Sequence, residues 1–572
     1  MTQLLRRPVD SAVSRHLAEA GLHPLLARLY AARGVRGADE LGGALAGLLP
    51  PLGLKGMAAA ATTLADAVQA NARMVIVADY DCDGATACAV GLRALRLLGA
   101  SDLHYFVPDR ARHGYGLSPA VVGEIAGLGA AVLITVDNGI ASLEGVAAAQ
   151  ALGMRVVITD HHLPGDALPA AEVIVNPNQP GCDFASKHLA GVGVMFYTAL
   201  AVRAELRARG WFGAGGPAEP NLGCLLDLVA LGTVADVVRL DANNRLLVRQ
   251  GLARMRSGRA HAGIRALFAV AGRQPERANA FDMGFTLGPR LNAAGRLADM
   301  SLGIECLLTD DEARAFAIAR QLHELNHARR EIEADMREDA LATLDATHID
   351  EGPAIALFEP EWHQGVIGIV AGRIREQTHR PTIAFARASD APLREDGELK
   401  GSGRSIPALH LRDALDLITK RHPGLILRFG GHAMAAGLTL HERDFERFRA
   451  IFAETVAELV PPAQLQRTLE TDGALESAYM NLEVARLLEG EIWGQGFAAP
   501  VFEDVFEVRR QRLMKERHLK LELACGHSRF EAVRFNCTES VPPRIRAAFR
   551  LAVNEYQGVA SLQLMLEHFE PA

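Results

Sequence analysis

The sequence predicts an α/β protein: an open, mostly parallel sheet, then a long connecting helix, a smaller α/β domain and a C-terminal β-barrel. Three observations predict it. Between about residues 74 and 176, five β-rich runs (MVIVAD, HYFVP, AVLITVD, RVVITD and EVIVNP) alternate with Ala-, Leu- and Gly-rich stretches, several long enough for a crossover helix. From about residue 311 to 347 the chain is almost continuously helix-forming and heavily charged, with no Gly or Pro. After about residue 460, short alternating runs such as VFEVRRQRLM, HLKLELACG, FEAVRFNC and ASLQLMLEHF suit a small barrel.

At 572 residues the chain exceeds one ordinary core. The expected domains are an N-terminal helical extension over 1–55, the main α/β domain over 56–310, the connecting helix over 311–347, a second α/β domain over 348–460 and the barrel over 461–572. The opening stretch MTQLLRRPVDSAVSRHLAEAG lacks the apolar core and cleavage site of a secretory leader, and no apolar run is long enough to span a bilayer. A cytoplasmic location with no membrane contact is expected. Residues 209–221, rich in Gly and Pro, read as a loop. The second α/β domain rests on PAIALFEP, GVIGIVAGRIREQ and PTIAFA, followed by the glycine-rich turns KGSGRS and RFGGHAMAAG. Those glycines are expected to let backbone N–H groups approach a phosphate.

Hydrophobic residues make up 49% of the chain and charged ones 22%, the balance of a globular protein rather than a disordered one. Seven cysteines without a C-x-x-C pair argue against a disulfide framework and a zinc ribbon. The net charge of −8 disfavours phosphate binding as a total but leaves room for local basic tracks.

The chemistry-bearing residues sit where apolar runs end: Asp79, Asp81 and Asp83 in DYDCDG, Asp137 in VDNG, Asp160, His161 and His162 in TDHH, and Asp227 in LLDLVALG. Alternate residues of an extended chain face one way, so the first three aspartates are expected to share a pocket. Carboxylates that close repel one another and take up protons unless cations neutralise them. Oxygen ligands with one or two imidazoles favour Mn²⁺ or Mg²⁺ over zinc. Two such ions clamp the attacking and leaving oxygens of a phosphate ester, with Asp137 as the expected bridging carboxylate. No glutamate closes DYDCDG at calcium-loop distance, and no G-x-x-x-x-G-K-[ST] suggests a nucleotide-driven motor.

The ordered set DYDCDG, VDNG, TDHH and DLVALGTVAD resembles the DHH phosphoesterase superfamily. With VPDRARHGYGLSP, LGPRLNAAGRL, EWHQGVIGIVAGRI, GSGRS and RFGGHAMAAG added, nearly the whole chain resembles the RecJ family of single-strand-specific DNA exonucleases, the last three stretches being typical of a DHHA1 domain. The resemblance implies one ion on Asp81 and Asp137 with Asp79 nearby, and a second on Asp83, Asp137, His161 and Asp227. It implies a catalytic group of Asp79, Asp137 and His162, in which His162 meets the scissile phosphate as stabiliser or proton donor. Asp160 is expected to orient His161 or its loop. Arg110, Ser402 and Arg404 would take the 5′ end, and Arg290, Arg296 and His432 would hold the strand near the metals.

The barrel matches the place of an oligonucleotide-binding fold in that family. Its groove is expected to use Arg509, Arg510, Arg512, Lys515, Arg517 and Lys520, with Phe530, Phe535 and Tyr556 as stacking rings. The implied activity is metal-dependent 5′-to-3′ hydrolysis of single-stranded DNA to 5′-mononucleotides in recombination and repair. By the same resemblance, single-strand-binding protein and a helicase are partners; a monomer is expected. Two rivals remain: a hydrolase of the superfamily acting on small substrates, which would not need a third domain, and a catalytically silent scaffold, which predicts eroded ligands.

Overall fold

The computed structural model describes residues 2–109, 113, 115–213, 215–347, 352–388 and 397–572. The chain divides into two compact units, one of residues 5–323 with 470–572 and one of the first four residues with 324–469.

The larger unit opens with α1 (Ser11–Glu19) and α2 (Pro24–Ala31). Asp10 caps α1 by accepting from the Ala12 and Val13 N–H groups, and proline starts α2, where a missing N–H costs nothing. After α3 (Met57–Gln69) come β1 (Met74–Ala78), α4 (Cys82–Leu97), β2 (Leu103–Phe106), α5 (Pro119–Ala126), β3 (Val132–Val136), α6 (Leu143–Ala151), β4 (Arg155–Thr159) and β5 (Val173–Val175). The five strands are parallel, in the order β2-β1-β3-β4-β5. Every residue of β1 and β3 is buried, because helices cover both faces of the sheet; this is why these runs are continuously apolar. From β1 the chain proceeds to β2 on one side and then to β3 on the other. That reversal opens a crevice at the carboxyl ends of β1 and β3. Asn138 ties those ends together, its side-chain amide donating to the Val77 and Val136 carbonyls at 3.1 and 2.9 Å.

The helices α7 (Gly191–Ala208), α8 (Leu226–Ala235), α9 (Ala242–Arg256) and α10 (Gly288–Leu297) complete this part, and α10 follows a π-helical turn at Met283–Leu287. The long helix α11 spans Glu312–Thr347, its residues up to 323 belonging to the larger unit. No helix among the described residues is long and apolar enough to cross a membrane.

The smaller unit contains β6 (Ile355–Phe358), α12 (Ile367–Thr378), β7 (Thr382–Arg387), β8 (Glu398–Arg404), α13 (Leu411–Arg421), β9 (Arg428–Gly431), β10 (Ala435–His441) and α14 (Phe445–Leu459). Its sheet runs β9-β10-β8-β7-β6, with only β6 and β7 parallel. Here the glycines of KGSGRS serve packing, contrary to the expectation of phosphate approach. A Cβ on Gly401 would lie 2.5 Å from the Phe385 ring and one on Gly403 2.6 Å from Leu411, so both leave space for core side chains.

The larger unit ends in a closed barrel of β11 (Phe502–Met514), β12 (His518–Cys525), β13 (Ser528–Arg534), β14 (Arg544–Tyr556) and β15 (Val559–Pro571), in the order β11-β12-β13-β15-β14. It begins later than the expected residue 461, because the segment from 470 to 501 packs on the N-terminal helices. Arg33 donates to both oxygens of Asp472 at 2.9 and 3.0 Å, with both side chains 2% exposed, and its guanidinium lies 5.0 Å from the Trp493 ring. Arg7 reaches the same carboxylate at 3.3 Å. Removing one member of a buried pair strands the other. Arg33→Ala is therefore expected to cost about 3 kcal/mol of unfolding free energy, the lower end of that class because Arg7 remains; urea denaturation of the purified variant measures it.

Candidate metal centre

The aspartates of DYDCDG converge by a different geometry from the extended one expected. The chain leaves β1 at Ala78 and is already helical at Cys82. Asp81 is the N-cap of α4, accepting the Gly84 N–H at 2.9 Å. Asp83, in the first helical turn and fully buried, accepts the Gly191 and Val192 N–H groups at 2.6 and 2.9 Å, where the start of α7 points its positive dipole end. A strand–loop–helix turn thus gathers the three carboxylates.

Close backbone approaches hold that turn. A Cβ on Gly84 would lie 2.4 Å from the Asp79 carbonyl, and one on Gly295 1.8 Å from the Tyr80 carbonyl. Asn292 accepts the Cys82 N–H at 2.7 Å. The stretch LGPRLNAAGRL therefore braces the acidic loop from α10.

Asp137 follows β3 in the left-handed region, with φ of 61°, and its N–H donates to the Thr159 carbonyl at 3.0 Å. A Cβ on Gly191 would sit 2.5 Å from that of Asp137, so only glycine lets α7 start here. After β4, Asp160 accepts the Ile140, His161 and His162 N–H groups and pairs with His162 Nδ1 at 2.8 Å. Its backbone bonds hold the loop, one of the two roles the sequence suggested, and the ring it orients is that of His162 instead of His161.

Three sets of potential ligand atoms result, each within 4.8 Å of one another: Asp79, Asp81 and Asp137; Asp83, His161 and Asp236; and Asp137, His161 and His162. His161 Nε2 lies 3.1 Å from Asp137, 3.4 Å from Asp236 and 3.9 Å from Asp83. Asp137 Oδ1 and Asp236 Oδ2 are shielded from solvent and form no hydrogen bond with any described residue. Burial, then repulsion from Asp81, pushes Asp83 up to about 7, although the two α7 N–H groups work against the shift. Burial first, then repulsion led by Asp83 and Asp81, raises Asp137 and Asp236 as well. Unmet acceptors and reluctantly ionised carboxylates in one pocket fit divalent cations.

Asp227 is not part of this cluster, and Asp236 stands where it was expected. Nine residues of helix make two and a half turns, so the two aspartates of DLVALGTVAD face opposite ways. Asp227 is fully buried at the other end of α8, accepting the His261 N–H at 2.7 Å and pairing with His261 Nδ1 at 2.9 Å. Tyr115 is also near the cluster, its hydroxyl donating to the Asp137 carbonyl at 3.1 Å. The sequence carried no signal for it beyond its place in HGYG.

Arg110 lies outside the described residues. Arg290 and Arg296 are half-buried on α10, the helix that braces the loop, and Arg290 Nε donates to His323 Nδ1 at 3.2 Å. In the smaller unit, Arg404 donates to Ser402 Oγ at 3.2 Å. A Cβ on Gly368, at the start of α12, would lie 2.7 Å from Ser402 Oγ and 2.9 Å from the Arg404 guanidinium, so both flank that helix N-terminus. His432 is exposed in the turn between β9 and β10.

On the barrel, Arg510, Arg512, Lys520 and Phe530 line one cleft with Arg529, Glu522 and Glu531. Arg509 falls at the register shift between Val508 and Arg510, and Lys515 and Arg517 lie in the turn between β11 and β12; none of the three lines the cleft. Phe535 packs edge-on to His518, and Tyr556 is exposed where β14 ends.

A carboxyl raised by folding holds its proton to higher pH than in the unfolded chain. The stability that these raised carboxyls contribute to the metal-free protein is then complete below about pH 4 and is lost as pH rises through about 7. The melting temperature of chelator-treated protein is expected to fall by several degrees across that window. Asp137→Asn should flatten the profile and Mn²⁺ should raise the upper end most, as read by scanning calorimetry.

Residues 73–233 match the DHH family, N-terminal domain, residues 351–458 the DHHA1 domain, and residues 471–568 the RecJ OB domain. The chain is 48% identical to the single-stranded-DNA-specific exonuclease RecJ of Escherichia coli K12, over all of this chain and 99% of that one. It is 50% identical to RecJ of Dickeya dadantii with the same coverage. The crystal structure of Thermus thermophilus RecJ in complex with Mn²⁺ superposes with a TM-score of 0.82 at 31% identity, over all of this chain and 79% of that one. Its complex with Mg²⁺ gives 0.77 at 30% identity, over all of this chain and 78% of that one. Likeness at this level over the full length, joined to an acidic crevice at the sheet's switch point, places the chain in the RecJ family of DHH phosphoesterases.

Proposed function

We propose that this protein is a metal-dependent exonuclease that hydrolyses single-stranded DNA from the 5′ end to 5′-mononucleotides, in recombination and repair. The observation that carries it is the meeting of Asp79, Asp81, Asp83, Asp137, Asp236 and His161 in one crevice, where Asp137 Oδ1 and Asp236 Oδ2 form no hydrogen bond with any described residue. Relatives named single-stranded-DNA-specific exonucleases, one of them, from Thermus thermophilus, solved with Mn²⁺ and with Mg²⁺, support the reading.

Asp79, Asp81 and Asp137 would hold one ion and Asp83, Asp236 and His161 the other, with Asp137 facing both. Such a pair supplies Lewis acidity and charge stabilisation at the attacking and leaving oxygens of a phosphodiester. Asp160 stays ionised: burial opposes this, but the His162 hydrogen bond and charge hold it below the usual carboxylate range. An ionised carboxylate only accepts, so His162 Nδ1 carries the proton between them and Nε2 is left for the scissile phosphate. Burial works against the charged ring, yet Asp160 outweighs it and pushes His162 up to about 9, a cation suited to a phosphate.

Ser402 and Arg404, beside the N-terminus of α12, form a cradle suited to a terminal phosphate, since a helix N-terminus and a guanidinium both favour anions. Arg110, Arg290, Arg296 and His432 are the further strand contacts of this reading, and the barrel cleft a backbone track. Family resemblance adds a cytoplasmic monomer served by single-strand-binding protein and a helicase.

The test is release of mononucleotides from 5′-labelled single-stranded DNA with Mn²⁺, which Asp137→Ala should abolish. Asp236→Ala is expected to lose more than about a hundredfold, beyond the usual effect of a residue that merely supports a ligand. Asp227→Asn should keep kcat near the parent value while lowering the melting temperature. No metal-dependent release by the parent protein would refute the reading, and the opposite ranking of the two α8 variants would refute the ligand assignment.

A further inference from the structure

The ring of Tyr115 is 50% exposed, yet its hydroxyl points into the acidic crevice. Oη donates to the main-chain carbonyl of Asp137 at 3.1 Å and lies 3.3 and 3.4 Å from Nδ1 and Nε2 of His162. The ring edge meets Tyr80 of the acidic loop at 6.2 Å and His162 at 5.8 Å between centroids. One side chain thus touches three segments that the sheet brings together: the loop after β1, the turn after β3 and the turn after β4.

Contacts on both sides of Tyr115 tie it to the sheet end. Upstream, His113 accepts the Asp109 N–H on Nδ1 and pairs with Glu124 through Nε2, each at 2.9 Å. Downstream, Gly116 takes a φ of 74°, and a Cβ there would lie 3.3 Å from Ser142 and 3.9 Å from Asn138, the residue that ties β1 to β3.

We propose that the Tyr115 hydroxyl is a positioning group for the hydrolysis, setting Asp137 and His162 in register with each other; this rests on the exonuclease reading. Asp137 stands in a backbone conformation that side-chain-bearing residues rarely adopt, so it needs anchors on both sides. Its N–H is held by the β4 carbonyl of Thr159, and its own carbonyl is held by Tyr115. The same hydroxyl oxygen lies 3.3 and 3.4 Å from the two nitrogens of the His162 ring, whose Nδ1 sits on Asp160 at the shorter distance of 2.8 Å, so the phenol abuts the ring without taking Nε2 from the phosphate. Because one hydroxyl serves both residues, a ligand carboxylate and the ring meant for the phosphate keep a fixed separation without either touching the other's partners.

The competing role for a half-exposed tyrosine is a ring that stacks on a base, and the hydroxyl separates the two. In the full-length protein, Tyr115→Phe keeps the ring; kcat on 5′-phosphorylated single-stranded DNA with Mn²⁺ is expected to fall about tenfold, the scale of one lost hydrogen bond to a polar partner, with KM unchanged. Mn²⁺ affinity, measured by titration calorimetry without DNA, should weaken several-fold as Asp137 loosens. In a His162→Ala background the same substitution should cost kcat much less, since part of its effect runs through that ring. Parent-like kcat and Mn²⁺ affinity in Tyr115→Phe, with Tyr115→Ala alone raising KM, would overturn the proposal in favour of stacking. A parent protein inert on DNA, with the Mn²⁺ difference intact, would remove the exonuclease reading and leave the anchoring of Asp137 standing.

Discussion

Mutual repulsion among buried carboxylates governs this molecule. Asp83 and Asp137 are buried at the end of the sheet's central strands, with Asp79, Asp81 and Asp236 beside them, and the crowding raises the cost of ionising Asp83, Asp137 and Asp236. A folded chain keeps such an arrangement only if its surroundings are built to resist splaying. The start of α7 does part of this, placing two N–H donors and a helix dipole against Asp83. Room is made by absent side chains: a Cβ on Gly232 would lie 2.1 Å from Thr86 Oγ1 and 3.0 Å from Asp83, and one on Gly191 would collide with Asp137. From the opposite side α10 fixes the loop through Asn292 and Gly295. What remains unmet, on Asp137 and Asp236, is the part that bound cations would satisfy.

The parallel sheet was legible in the sequence because strands buried on both faces need continuous apolar runs, and MVIVA and VLITV are such runs. The long helix was legible for an equally local reason, uninterrupted helix-forming residues through Glu312–Thr347. The site was legible as a list of aspartates and histidines at strand ends but not as a geometry. Alternation suggested that Asp79, Asp81 and Asp83 align on an extended segment, whereas a helix begins at Cys82 and a cap does the work. Choosing between Asp227 and Asp236 needs the neighbours each finds across the fold, His261 for one and His161 for the other, and neither lies nearby in sequence.

Other misreadings share that origin. The glycines of KGSGRS carry the same local signature whether a phosphate or a phenylalanine fills the space above them; here Phe385 does. The basic run in β11 reads as one face until the register shift removes Arg509 from the line of Arg510 and Arg512. The barrel's late start depends on Arg33 and Asp472, more than four hundred residues apart, and no local pattern announces such a pair.

The acidic crevice also shows how one pocket keeps two kinds of carboxylate. Asp160 is as buried as Asp137, yet its ionisation is favoured where that of Asp137 is opposed. The difference lies in partners: three backbone N–H groups and the His162 ring converge on Asp160, while Asp137 Oδ1 forms no hydrogen bond with any described residue. Three of these donors fall on Asp160 Oδ1 and one on Oδ2, so its charge is already met by hydrogen bonds where that of Asp137 is not. Pairing with Asp160 is what stabilises the charge on His162, and it distinguishes this ring from His161, which sits between Asp83, Asp137 and Asp236. Two adjacent histidines of identical chemistry thus acquire different tasks from the carboxylates they face.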